Sequence, residues 1–461
     1  MIRKFIGDKK FYKAVLALTI PIMIQNGITN FVNMLDNVMV GRIGTVEMTG
    51  VAVANQLFFV FNLCIFGAVS GAGIFGAQFH GNHDVKGVRD TFRFKMLFCS
   101  AFTLAAIAVL LIFGENLIGL YLRGEGNPED ALASLGFAKE YTNIMLFGLL
   151  PYTVVQCYSS TLRETGKSVP PMFAGIVAIL MNLALNYILI FGHLGFDTLG
   201  VRGAAIATVI SRFVELGILI IWTHVKRNEN KFIIGAFRSF RIPLSLVSKI
   251  TVKGLPLMVN EALWASGMAI LNQCYSVRGY DVVSATNISS TFYNVFAVAF
   301  LSVGAGIGII VGQSLGSGET DKAMDTARKL ITFSVLISIG VFVVYYICSG
   351  FIPEFYNTTD SVKSLATKIM RISAIAMPLE AFANAAYFTL RSGGKVLITF
   401  IFDSIFVWCV TVPLAFILSR FTNLPIVPLF TICTFLAFFK DILGFTFVKK
   451  GIWIKNLAQK N

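Results

Sequence analysis

Apolar runs of about 20 residues recur from one end of this chain to the other, and that recurrence leaves few folds open. They lie at roughly 14–39, 51–79, 94–113, 137–162, 171–191, 203–223, 250–273, 283–311, 329–349, 367–390, 396–418 and 425–448. Each can cross about 30 Å of hydrocarbon at a rise of 1.5 Å per residue. Composition agrees. Of 461 residues, 56% are hydrophobic and only 13% charged. A soluble domain carries roughly a quarter charged residues, and one this apolar could not cover its surface with polar atoms. The first run follows a basic stretch, MIRKFIGDKKFYK. It is longer than a signal-peptide core and is read as a retained first span. The expectation is an all-α integral membrane protein with twelve transmembrane helices.

Charge then orients the chain. The formal net charge is +14, which by itself invites a nucleic-acid reading. Its distribution removes that reading. Counting residues at the ends of the spans with the adjoining loop, 27 Lys and Arg residues fall on the side of the two termini and nine on the other. By the positive-inside rule both termini are cytoplasmic and the protein is multi-pass in the inner (plasma) membrane. No nucleic-acid partner is needed to explain the basic balance. The lipid bilayer is the partner, and the chain is expected to act as a monomer.

The longest cytoplasmic connection carries Lys226, Arg227, Lys231, Arg238 and Arg241. It divides the chain into residues 1–225 (an N-lobe of helices 1–6), a linker at 226–248, and residues 249–461 (a C-lobe of helices 7–12). These halves repeat. At an offset of 235, Gly71, Gly73, Ile74, Gln78 and Gly81 match Gly306, Gly308, Ile309, Gln313 and Gly316. Asp90, Thr91 and Arg93 match Asp325, Thr326 and Arg328. TLRETGK from Thr161 matches TLRSGGK from Thr389 in five of seven positions. Six spans return the chain to its starting side, so the repeats are parallel and the lobes pseudo-symmetric. Transporters commonly place the substrate path between such halves.

Several motifs are decoys. GAGIFG at Gly71 fits G-x-G-x-x-G in letters but sits late in an apolar helix with no preceding strand. Gly67–Gly71, Gly304–Gly308 and Gly312–Gly316 are read as G-x-x-x-G spacings that let helices approach. Asn357-Thr358-Thr359 fits a glycosylation acceptor, which matters only in a eukaryotic secretory protein. His80, His83 and Asp84 are read as a solvated loop. Cysteines 64, 99, 157, 274, 348, 409 and 433 show no metal or redox spacing and read as small buried hydrophobes. There is no phosphate-binding Gly-Lys-Ser/Thr, no H-E-x-x-H and no Asp-rich diphosphate motif. Direct use of ATP and intramembrane enzymes such as prenyltransferases are set aside. No catalytic residues and no cofactor are expected.

Polar residues inside spans carry the functional signal, since an ionisable group there costs several kcal/mol and usually lines a cavity. Asn26, Asn30, Asn33 and Asn37 form one helical stripe in the first span, with Asp36 beside it. Pro21 lies one turn above Gln25, so this helix can bend. The fifth span adds Asn182 and Asn186. The seventh carries Asn260, Glu261 and Trp264. The eighth has Asn287, Thr291 and Asn294. The tenth has Glu380, Asn384, Tyr387 and Arg391 on one stripe. Asp403, Lys440 and Asp441 near the cytoplasmic ends are read as a structural ion pair or wetted ends. Arg163 and Arg391, at equivalent positions, are given a helix-end role. Glu261 is expected to lack a basic partner and so to hold a proton or a cation. Carboxylates and amide oxygens in an aprotic setting are ligands for H⁺ or Na⁺.

Taken in order, several stretches resemble the multidrug and toxic compound extrusion (MATE) family over the whole chain. They are PIMIQNGITNFVNMLDNVMVGRIGTVEMTGVAVANQ, TLRETGKSVPPM, MNLALNYILIFG with LGVRGAAIATVISR, GLPLMVNEALWASG and FTLRSGG. The resemblance implies a two-lobed MATE-type fold and export of organic cations or amphipathic drugs in exchange for Na⁺ or H⁺ as the coupling ion. Asp36 matches the first-helix acid of the N-lobe cation site, with Asn182 and Thr208 as its polar partners; Asp36 and Asn182 are then candidate Na⁺ ligands. Residue 186 is Asn where one branch has Asp. Glu261 resembles a helix-seven acid, and Glu380 is the helix-ten candidate. The implied substrate cavity takes Asn30, Asn33, Asn37, Asn260, Trp264, Asn287, Asn294, Asn384 and Tyr387. The alternative is a lipid-linked oligosaccharide flippase of the same wider superfamily, for which a cationic cavity and extra helices would be expected.

Overall fold

The computed structural model describes residues 5–122, 128–356 and 358–459. Inside its helices the side chains of residues 33, 34, 37, 38, 121, 122 and 128 lie outside the description. Asn33 and Asn37 of the expected stripe, and Asn357 of the acceptor motif, are therefore not described.

The described residues are predominantly helical, with no strand among them. We number the long helices α1 (Lys9–Gly41), α2 (Thr45–Gly81), α3 (Val85–Leu122), α4 (Pro128–Glu164), α5 (Val169–Phe191), α6 (Gly200–Val225), α7 (Leu244–Ser276), α8 (Tyr280–Gly316), α9 (Thr320–Cys348) and α10 (Asp360–Ser392). Two more follow, α11 (Val396–Arg420) and α12 (Ile426–Lys449). Ten of these are long and apolar enough to cross a membrane. The other two, α4 and α10, have 37 and 33 residues, ample for a crossing, but are less apolar on average. On α10, Asp360, Lys368 and Arg371 are exposed, Lys363 and Glu380 half-buried and Arg391 buried. Helices α1, α4, α7 and α10 carry proline in their interiors, at Pro21, Pro151, Pro256 and Pro378. Pro21 and Pro256 stand 235 residues apart, the offset of the glycine repeat.

Two compact units divide the contacts. Unit 1 comprises residues 1–23, 77–84 and 255–461; unit 2 comprises 24–76 and 85–254. The first helix and the second each contribute to both.

Within unit 2 the GAGIFG stretch finds its explanation. A Cβ on Gly71 would lie 2.4 Å from the Cα of Gly254 on α7. On Gly73 it would lie 2.7 Å, and on Gly76 2.0 Å, from the carboxylate oxygens of Glu164. The glycines hold a backbone crossing and a bed for a buried acid, not a nucleotide. Lys95 completes that bed. Its Nζ donates to both Glu164 oxygens at 2.6 and 2.7 Å, and to Ser160 and Thr161 at 3.1 and 3.2 Å. Lys95 is fully buried.

Unit 1 shows the other half of the repeat. At the C-terminal ends of α2 and α8, a Cβ on Gly81 would lie 2.0 Å from the carbonyl oxygen of Gln313. One on Gly316 would lie 1.9 Å from that of Gln78. The matched Gln and Gly pairs are thus reciprocal contacts, each glycine making room for the other helix's glutamine backbone. The Gln78 side chain is fully buried and donates to the carbonyls of Ser392 and Lys455, at 2.9 and 3.1 Å. Its oxygen accepts from the amide of Leu457. The tail after α12 is therefore folded down, with Trp453 fully buried and donating to Val448.

The stretch expected to be a linker is also folded. In unit 2, Arg93 donates to the carbonyls of Gly235 and Ala236 at 2.7 and 2.8 Å, and Arg89 to Phe232 at 3.2 Å. Phe232, Ile233 and Ala236 are buried, and the Phe232 ring packs edge-on against Phe92. Lys167 donates to Glu229 and Asn230 from the other side. Its partial burial there lowers its ammonium pKa from the usual value, with Glu229 acting in the opposite sense. Arg93→Ala removes two charge-assisted bonds, roughly 2 kcal/mol of local stability. Trypsin cleavage at Arg238 and Arg241 of the folded protein should then become about thirtyfold faster. An unchanged rate would mean that Arg93 does not hold the segment down.

Candidate functional site

Asp36 is brought to α5 by helical spacing on both sides. Asn182 and Asn186 are one turn apart on α5 and both buried. Asn186 Nδ2 donates to Asp36 Oδ1 at 2.7 Å, and to Asn182 Oδ1 at 3.2 Å. Asn182 lies 3.2 Å from Thr208 Oγ1 on α6. With its amide turned over, it donates to the two Asp36 oxygens at 3.1 and 3.2 Å. That orientation is a choice between indistinguishable atoms. The Oδ1 of Asn186 is buried without a hydrogen-bond partner. The carboxylate accepts from amide N–H groups, and the unsatisfied Asn186 oxygen is a neutral ligand of the kind a small hard cation takes. The four residues that the sequence groups together, Asp36, Asn182, Asn186 and Thr208, do meet.

Nearby in unit 2, Arg212 pairs with Glu215 at 3.2 Å and lies over the Tyr152 ring. Arg163 donates to Gln25. These partners escaped the sequence reading. Glu215 lies in an apolar stretch with no stripe to flag it, and Gln25 lies one turn from Pro21.

In unit 1 the seventh, tenth, eleventh and twelfth helices share one polar network. The Tyr387 hydroxyl donates to Glu261 Oε1 at 3.0 Å, and Arg391 Nη1 stands 3.7 Å from the same oxygen. The expectation that Glu261 lacks a basic partner is thereby corrected. Arg391, expected only to cap a helix end, is buried and charge-compensates it. Helical spacing puts Tyr387 and Arg391 on one face, but only the packing of α10 on α7 supplies the pair. Asn260 is fully buried and donates to Asp403 at 3.2 Å, while accepting from Ser404 at 2.7 Å. Its amide therefore ties α7 to α11. Lys440 donates to Asp403 at 2.6 Å. The ion pair is thus between Lys440 and Asp403, with the sequence neighbour Asp441 left out.

Asp403 lies in an unusual stretch of α11. Residues Ile401–Ile405 and Val407–Thr411 are π-helical. Such widened turns are frequent at functional sites. On α8, the Tyr293 hydroxyl donates to Glu380. Asn384 packs against Gly304, where a Cβ would lie 1.8 Å from its Oδ1. Of the remaining residues assigned to a cavity, Trp264, Asn287 and Asn294 are exposed and Asn30 half-buried.

Together these observations define a polytopic α-helical membrane protein of two repeated halves, with carboxylates enclosed by amides and bases inside its helices. The MatE family model matches residues 21–188 and 256–417. The chain belongs to this family, the multidrug and toxic compound extrusion family whose pattern its sequence resembles. It is 25% identical over 448 residues to "Probable multidrug resistance protein NorM" of Thermotoga maritima, covering 96% of this chain and 93% of the relative. It is 24% identical to "Probable multidrug resistance protein YoeA" of Bacillus subtilis, covering 90% and 88%. Its fold matches a MOP superfamily transporter from Pyrococcus furiosus, with a TM-score of 0.83 at 19% identity over 98% of both chains. An outward-facing multidrug resistance MATE transporter of the same superfamily gives 0.84 at 20% identity, again over 98% of both.

Proposed function

We propose that this protein is a secondary active efflux transporter. It exports organic cations or amphipathic toxins by antiport with Na⁺ or H⁺ through alternating access. On this reading it works as a monomer in the inner (plasma) membrane with both termini cytoplasmic. Residues 1–225 and 249–461 act as the two lobes, and 226–248 connects them. Family membership and the names of its relatives support export of drugs. The observation that carries coupling is the Asp36 carboxylate, held by Asn186 with an orphaned amide oxygen beside it. Asp36 supplies the negative charge; Asn182, Asn186 and Thr208 supply neutral oxygens for Na⁺, or hydrogen bonds to either protonation state of the acid.

Alternating access requires that ion and substrate favour different states, since equal affinity for both shifts nothing. In the other half Glu261 is already compensated by Arg391, so Glu380 is the helix-ten acid left for coupling. The test is efflux of a cationic dye from proteoliposomes under separately imposed Na⁺ and H⁺ gradients. One gradient should drive efflux and its collapse should stop it. Efflux indifferent to both gradients would remove the antiport reading.

A further inference from the structure

Among the described residues of this network, four acids, Glu261, Glu380, Asp403 and Asp441, have two bases beside them, Arg391 and Lys440, and both bases are engaged. Arg391 stands beside Glu261, and Lys440 donates to Asp403. Glu380 accepts from Tyr293. Asp441 alone of the four has nothing: both its carboxylate oxygens are buried without a hydrogen-bond partner, and the residue is 7% exposed.

Its surroundings are apolar. Asp441, Gly444 and Val448 form the buried stripe of this part of α12. A Cβ on Gly444 would lie 2.8 Å from the Phe402 ring and 3.4 Å from Ala386 Cβ, which places the stripe against α10 and α11. The titratable groups on the elements packed around it are Glu380 on α10, Asp403 on the π-helical stretch of α11, Cys433 on the first half of α12, and Lys440 next to it. Lys440 and Glu380 are those that act on Asp441 electrostatically. A bare carboxylate so placed is far costlier than a neutral acid. A metal cation would need several oxygen ligands, and no polar atom bonds to either Asp441 oxygen. A proton needs none.

We propose that Asp441 is a proton-binding site of the C-terminal half, and that Lys440 is the group that competes with the proton. Lys440 sits between two carboxylates, Asp403 and its own neighbour. While Lys440 donates to Asp403, Asp441 keeps the proton. When Lys440 turns to Asp441, the proton leaves to water and Asp403 is left with Asn260. Its use in export rests on the antiport reading above; the binding of the proton does not.

The experiment is infrared spectroscopy of the purified full-length protein in lipid nanodiscs at neutral pH, reading the carbonyl stretch of protonated carboxyl groups. Wild type should show a component that is lost in Asp441→Asn and retained in Asp441→Glu. Asp403→Asn should also lose it, because the released Lys440 then neutralises Asp441. A spectrum identical in wild type and Asp441→Asn overturns the site. Retention of the component in Asp403→Asn overturns the competition with Lys440. Failure of the antiport reading would look different: the component present, with no gradient-driven efflux.

Discussion

Asp36→Asn should reduce gradient-driven efflux to the level of protein-free vesicles while the protein still folds. Asparagine has nearly the shape of aspartate, and its oxygen can still accept from Asn186, now 2.7 Å from Asp36 Oδ1. The change in stability should stay within about 1 kcal/mol, as for isosteric changes that keep their partners. What is lost is charge. An amide neither takes up a proton in this range nor neutralises Na⁺, and the surrounding Asn182, Asn186 and Thr208 carry no charge to replace it. Thermal unfolding of purified protein would report the first half of the prediction, and dye efflux under an imposed gradient the second. Well-folded Asp36→Asn protein with wild-type efflux would reduce Asp36 to a structural partner of α5.

Lys95→Met should have the largest effect on stability, a loss of about 3–5 kcal/mol, because it strands a buried carboxylate. Glu164 is 4% exposed and Lys95 fully buried. The acid accepts from Lys95 at both oxygens, in a bed that Gly73 and Gly76 shape to its outline. A buried pair is weak evidence of net stabilisation, since replacing both charges can be neutral; breaking one is what hurts. Lys95→Met combined with Glu164→Gln should therefore recover most of the loss, since the glutamine fits the bed and carries no charge. Denaturant unfolding of the two single variants and the double variant gives the coupling energy directly. Strict additivity of the two changes would mean that the pair is not coupled.

Much of this protein is legible in its sequence, and the reason is the solvent. Lipid demands that each crossing segment be apolar and satisfy its own backbone. The helices, α4 and α10 included, could therefore be placed from their apolar runs. The same demand makes intramembrane polar residues conspicuous where they recur at helical spacing. Helical spacing was enough to collect Asn182 and Asn186 on one face and to set Asp36 beside the amide stripe of the first span; family resemblance linked the two and added Thr208. The glycine repeat was legible as a repeat, but its purpose was not. That Gly81 faces Gln313 while Gly316 faces Gln78 depends on where α2 crosses α8, and no local spacing encodes a crossing point.

Partner choice belongs to the tertiary structure for the same reason. Arg391 reads as a helix end and becomes the counter-charge of Glu261, because α10 packs on α7 at that register. Lys440 adjoins Asp441 in sequence yet bonds to Asp403, 37 residues away. Consecutive residues on a helix point about 100° apart, and the π-helical turns of α11 bring Asp403 within reach of both Lys440 and Asn260. Sequence alone determined which residues must be hidden from lipid and on which helical face each lies. Which charge neutralises which, and which carboxylate is left over, was decided by the registers between helices, since an ion pair requires approach within about 4 Å and helical periodicity says nothing about the neighbouring helix.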